Sequence, residues 1–244
     1  MDFNVAQAWS SILNHPLAGV FITVLCYQVA QWIYLKSGNI SLFHPVLLGL
    51  VLVVAILIAF EIPYATYMES AQLLNLFLSL ATVALAIPLY NHFHRIRQHF
   101  LPLMITLLAS SIFAIFSVVS IAWCLGGTEK ILLSLAPKSV TTPVAIILAD
   151  QIGAYASLTA VIVMITGVLG AILSPVLFKL LGVKNQVEKG LLLGITAHAV
   201  GTARAFEIGA EAGAFASLGL GLMCIFTAVL LPLVLPIVMI LILS

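Results

Sequence analysis

Charge is what this sequence has least of. Only 7% of its 244 residues are Asp, Glu, Lys or Arg, against about 25% in an ordinary soluble domain. With 63% hydrophobic residues and a mean hydropathy of +1.26, too much apolar surface exists for a water-soluble globule to bury. The chain reads as an all-α, polytopic membrane protein whose solvent is the lipid bilayer. A net charge of +1 leaves no basic face for a nucleic acid. Cysteine is scarce too: Cys26, Cys124 and Cys224 are odd in number, far apart and set in apolar segments. That pattern excludes a disulfide framework or a zinc site. GxSxG, HExxH, Walker A and dinucleotide-binding patterns are all missing. An intramembrane aspartyl protease needs paired carboxylates, and Asp150 alone stands where one could be used. Ser139 with Lys138 as its base has a chemical precedent in desolvated lysines, but nothing else in the sequence supports it, so no enzyme is expected. No linker or low-complexity tract occurs, which suggests one integral membrane domain over 1–244. Residues 1–15 are polar, carry Asp2 and lack a basic n-region, unlike a cleavable signal peptide.

What is present is a series of apolar segments at about 16–35, 43–60, 71–90, 101–125, 131–148, 154–178, 190–206 and 213–243. The fifth holds Leu135-Ala-Pro-Lys-Ser-Val-Thr-Thr-Pro143. A lysine, three hydroxyls and two prolines do not suit a lipid-facing helix. Pro143 has no N–H and clashes with the preceding turn. Thr142 is then a good N-cap and Pro143 a good first helical residue. The stretch therefore reads as two half-helices meeting at a polar break. The second half-helix points its free N–H groups at Lys138, Ser139, Thr141 and Thr142, an arrangement that suits a small anion. A kinked helix whose lysine snorkels to the surface fits the same residues.

Basic residues sort between the segments: Lys36; Arg95 and Arg97; and Lys179, Lys184 and Lys189. Basic loops face the cytoplasm. Putting all three groups inside requires that 131–148 dip in and return rather than cross. That leaves about seven full spans plus one re-entrant hairpin. Segments 43–125 and 154–243 then start on opposite sides, which suits an inverted repeat, although no residue-level self-similarity supports it.

A second unusual stretch is Gly190-Leu-Leu-Leu-Gly-Ile-Thr-Ala-His198-Ala-Val-Gly-Thr-Ala-Arg204-Ala-Phe-Glu207. At helical spacing Gly190, Gly194, His198 and Thr202 share a face, and such a small-residue face admits another backbone. His198 could relay a proton, or simply bond a neighbouring carbonyl. Arg204, near the expected outer end of this helix, is spaced to pair with Glu207. That pair could equally be solvated, and a free guanidinium would bind a carboxylate bidentately. Gly167, Gly170, Ala171 and Ser174 form a further small-residue stripe that reads as helix packing. Tyr90, after Pro88, suits an interfacial aromatic belt.

At Leu135-Ala-Pro-Lys-Ser-Val-Thr-Thr-Pro-Val-Ala and Ala197-His-Ala-Val-Gly-Thr-Ala-Arg204, the chain resembles the LrgB/CidB family. Glu211-Ala-Gly-Ala-Phe-Ala-Ser217 and Pro88-Leu-Tyr90 fit the family pattern as well, while His44-Pro45 stands where the family usually has Asn-Pro. The resemblance covers nearly the whole chain. It implies one of two functions. One is a carrier of small monocarboxylates, as in the plastid glycolate/glycerate translocator and bacterial pyruvate facilitators. The other is a holin/antiholin-like regulator of murein hydrolase export and cell lysis. It also implies the cytoplasmic membrane, a small LrgA/CidA-type membrane partner, and a homo- or hetero-oligomer. The polar groups favour the carrier. The expected site has Lys138, Ser139, Thr141 and Thr142 facing His198, Thr202 and Arg204, with alternating access by analogy. No cofactor is implied beyond possible proton or cation coupling.

Overall fold

The computed structural model describes residues 15, 17–38, 40, 43–98 and 100–243. Every regular element among them is a helix, as the composition requires. The chain divides into two compact units, Met1–Ala86 and Ile87–Ser244.

The first unit is built on α1 (Ala18–Lys36), α2 (Pro45–Ala59), α3 (Tyr64–Ser70) and α4 (Gln72–Ala84). Small and hydroxyl residues let α1 approach α3. The Gly19 N–H donates to Ser70 Oγ at 2.9 Å, and Thr23 Oγ1 meets the Tyr67 hydroxyl at 2.7 Å. His44 starts α2 ahead of Pro45 but makes no side-chain cap. An asparagine there could cap; the histidine is instead buried, its ring 5.9 Å from that of Tyr34.

The short α5 (Ala86–Asn91) follows, and then α6 (Phe93–Gln98) and α7 (Phe100–Cys124). The rest of the second unit comprises α8 (Glu129–Leu135), α9 (Thr142–Gln151), α10 (Ala156–Leu180), α11 (Gln186–Ile208) and α12 (Ala210–Leu243). Among the described residues four helices are long and apolar enough to cross a membrane, namely α1, α7, α10 and α12. This is a membrane protein. The spans differ from the sequence count for identifiable reasons. The segment 71–90 is interrupted at Leu85, because Pro88 can offer no N–H to the carbonyl four residues back. The 15-residue α2 is about 22 Å long, short of the roughly 30 Å apolar core of a bilayer.

The larger correction concerns 190–206, expected as one full span. Helix α11 is broken at His198, where φ is 38° and ψ is −124°. A methyl group placed on Gly209 would stand 2.7 Å from Gln186 Oε1. In a straight helix those residues would be about 34 Å apart. One placed on Gly201 would overlap the Leu193 carbonyl, and that pair would be about 12 Å apart in a straight helix. Helix α11 is thus a hairpin with its tip at His198 and both feet at one end of the unit. The face expected to run Gly190, Gly194, His198, Thr202 exists only up to the tip.

Both feet are pinned. Methyl groups on Gly190 and Gly194 would overlap the carbonyls of Ala212 and Ala216, so the first arm lies in backbone contact with the start of α12 and runs parallel to it. At the same end Arg95 pairs with Glu211, and Phe178 packs against the cluster of Ala205 and Ala212. Arg204 therefore does not sit at the end opposite the loop lysines. The turn at His198 brings it back to line one cavity with Lys179, Lys184 and Lys189.

Candidate functional site

Two broken segments approach each other inside the second unit. The first is α8–α9. It packs on the N-terminal end of α10: near the end of α8, Ser134 Oγ accepts from the Tyr155 N–H at 3.0 Å, and its carbonyl from Thr159 Oγ1 at 2.9 Å. The Lys130 ammonium lies 5.2 Å from the centre of the Tyr155 ring. From Gln151 the chain turns through Gly153, at φ +72°, directly into Tyr155. The two short helices pack on α7, α10 and α12 rather than along each other. Between them the backbone turns through 136–140. The break lies where Pro143 predicts it, one residue earlier than expected: Thr141 is the N-cap, at φ −67° and ψ 149°, with Thr142 and Pro143 inside the first turn.

Among the described residues no side chain caps α9. With Pro143 lacking an N–H, the free donors of that first turn are the Thr142 and Val144 N–H groups. Ser139 is buried, Lys138, Thr141 and Thr142 are half-buried, and Lys138 Nζ donates to Ser139 Oγ at 3.3 Å. Cys224 Sγ on α12 stands 3.9 Å from Thr141 Oγ1.

The second broken segment is α11, entering from the opposite end of the unit. At its tip His198 is 3% exposed. Its Nε2 lies 2.9 Å from the Val163 carbonyl on α10, so that nitrogen carries the proton and donates. The approach depends on Gly167, the residue whose own N–H follows the same carbonyl one turn on. A methyl group there would overlap the imidazole. Gly170 likewise makes room for Ala197. The small-residue stripe of α10 is therefore a docking strip for the hairpin tip. Thr202 Oγ1 donates to the His198 carbonyl one turn back, at 2.8 Å.

The two tips approach each other at Val163: its carbonyl accepts from His198, and its side chain packs in one buried cluster with Ala136 and Val140 of the α8–α9 break. Val163 lies seven residues into α10, about 10 Å from its start, so the tips meet well inside the unit. In each segment the second arm begins at the tip, so both present helix N-termini there. Of the expected residues, Lys138, Ser139, Thr141 and Thr142 lie at the α8–α9 break, and His198 and Thr202 at the α11 tip. Arg204 is not among them; it pairs with Glu207 at the far end of its arm. Thr227 on α12 was missed by sequence reasoning. Its Oγ1 is buried without a hydrogen-bond partner among the described residues, one turn beyond Cys224. Nothing in the apolar run around it marks that threonine in the sequence.

Residues 23–237 match the LrgB-like family. The chain belongs to the LrgB family. Among its curated relatives, the holin-like protein CidB of Staphylococcus epidermidis is 29% identical over 213 residues, covering 87% of this chain and 93% of that protein. The antiholin-like protein LrgB of Bacillus subtilis is 29% identical over 217 residues, covering 89% and 94% respectively. YxaC of Bacillus subtilis, an uncharacterised protein, is 36% identical over 215 residues, covering 88% and 93%. No solved structure matches. The match spans both broken segments of this LrgB protein.

Proposed function

We propose that this LrgB protein is a carrier of small monocarboxylate anions of the glycolate, glycerate or pyruvate type, in the cytoplasmic membrane. One observation supports the proposal: the α8–α9 break, with its helix start not capped by any described side chain, and the His198 tip of α11 both pack on Val163 of α10. A carboxylate between them would accept from the Thr142 and Val144 N–H groups. Lys138 supplies the positive charge, and Ser139, Thr141, Thr202 and Thr227 supply hydroxyls for a 2-hydroxyl or 2-oxo group. Two broken segments entering from opposite ends, each followed by a long helix, support an inverted plan with alternating access around the tips. Proton coupling through His198, a separate LrgA/CidA-type partner and an oligomeric assembly belong to the same proposal, as does the absence of enzymatic turnover.

The test is uptake into liposomes by the purified protein. Labelled glycolate, glycerate or pyruvate should enter, and Lys138→Ala should abolish entry while the protein stays folded. The names of the relatives favour a second reading, and favour it over the first: a holin-like or antiholin-like role in cell lysis. Release of large dyes from the same liposomes, regardless of size and charge, with no effect of Lys138→Ala, would establish that reading instead.

A further inference from the structure

The fold-back of α11 creates a second cationic site away from the tips. Lys179 stands in the last turn of α10, Lys184 lies in the connection, and Lys189 and Arg204 stand on the two arms of the hairpin. Together they line a cavity of about 430 Å³ whose wall is apolar and includes Pro175 and Phe178. Glu207 is engaged by Arg204, and Glu188 lies exposed in the first turn of α11. Among the described residues no carboxylate forms a salt bridge with Lys179, Lys184 or Lys189. Three lysines around one apolar-walled recess repel each other unless an anion joins them.

Geometry selects the kind of anion. Lys179 lies in the last turn of a 25-residue apolar helix, and Leu180 and Leu181 beside it are 76% and 73% exposed. Surface this apolar at the end of a membrane span lies at the boundary between acyl chains and headgroups. The cations point from there into the recess, and the apolar wall continues along the helix. A soluble anion has no use for that wall, whereas a lipid uses both. The basic loop puts this end at the cytoplasmic leaflet, which is rich in anionic lipid.

We propose that this recess binds the phosphate of an anionic phospholipid, with an acyl chain along the apolar wall of α10. Bound there, the lipid bridges the end of α10 and both arms of α11 and so ties the base of the hairpin together. The experiment is native mass spectrometry of the full-length protein in detergent. Phosphatidylglycerol, phosphatidylcholine of the same chains, and inorganic phosphate are added in separate arms. Phosphatidylglycerol should be retained over phosphatidylcholine. K184Q/K189Q should weaken that retention by roughly tenfold or more, at about fivefold per lysine, whereas K36Q should leave it unchanged. Lys184→Arg, which keeps the charge, should retain the lipid, so a folding defect in the double variant would not hide the answer. Equal retention of both lipids, or undiminished retention by a folded K184Q/K189Q protein, would overturn the site. Binding of inorganic phosphate as strong as that of phosphatidylglycerol would overturn the lipid assignment.

Discussion

His198 is held at a positive φ that histidine tolerates poorly, a conformation costing roughly 1–3 kcal/mol. It persists because its groups are tied down: the ring nitrogen by Val163, the carbonyl by Thr202, and the ring face by the bare backbone of Gly167. His198→Val removes the ring bond and puts a β-branched residue at φ 38°. We expect it to destabilise the protein by about 2 kcal/mol or more, read as a lowered thermal midpoint in detergent. Thr227 gives the opposite signature. Its hydroxyl is buried and unpartnered among the described residues, so the near-isosteric Thr227→Val should preserve or raise stability, by about 1 kcal/mol. If the hydroxyl serves the anion, uptake should fall at the same time. An unchanged uptake would remove Thr227 from the site. In the sequence the histidine was legible as a polar group in an apolar stretch. Its backbone was not, because positive φ at a non-glycine residue is imposed by partners that lie 35 and four residues away.

At the scale of elements the two broken segments differ in how openly the chain declares them. The α8–α9 break is written in Pro143 and the hydroxyls before it, and the sequence places it to within a residue. The α11 break has no proline and no glycine at the tip, and its small residues have the spacing of an unbroken packing face. Those same glycines serve the fold-back: Gly190 and Gly194 admit the start of α12, and Gly201 admits the first arm's own carbonyl. Close backbone contact was therefore readable, but which backbone came close was not. Arg204 was misplaced for that reason alone. Gly194→Val puts a branched side chain against the Ala216 carbonyl. We expect it to cost on the order of 1–3 kcal/mol or more and to lower the yield of folded protein, with Gly221→Val, set in open space, as the tolerated control.

Across the whole molecule the fold-back fixes which connections share a side. Residues 182 and 209 lie at the basic end of the second unit, and residues 126 and 153 at the other. With Cys26, Cys124 and Cys224 replaced by serine or alanine, Gly182→Cys and Gly209→Cys should react with an impermeant thiol reagent only from the cytoplasmic side. Gly126→Cys and Gly153→Cys should react only from the opposite side. Opposite-side labelling of 182 and 209 would mean that α11 crosses. The adjacency of Gln186 and Gly209 carries one more consequence. Everything between them is, in building terms, an appendix grafted onto a short corner joining α10 to α12. Excising 187–208 and rejoining the cut ends should therefore leave a chain whose long helices still meet, without the histidine tip that bonds Val163.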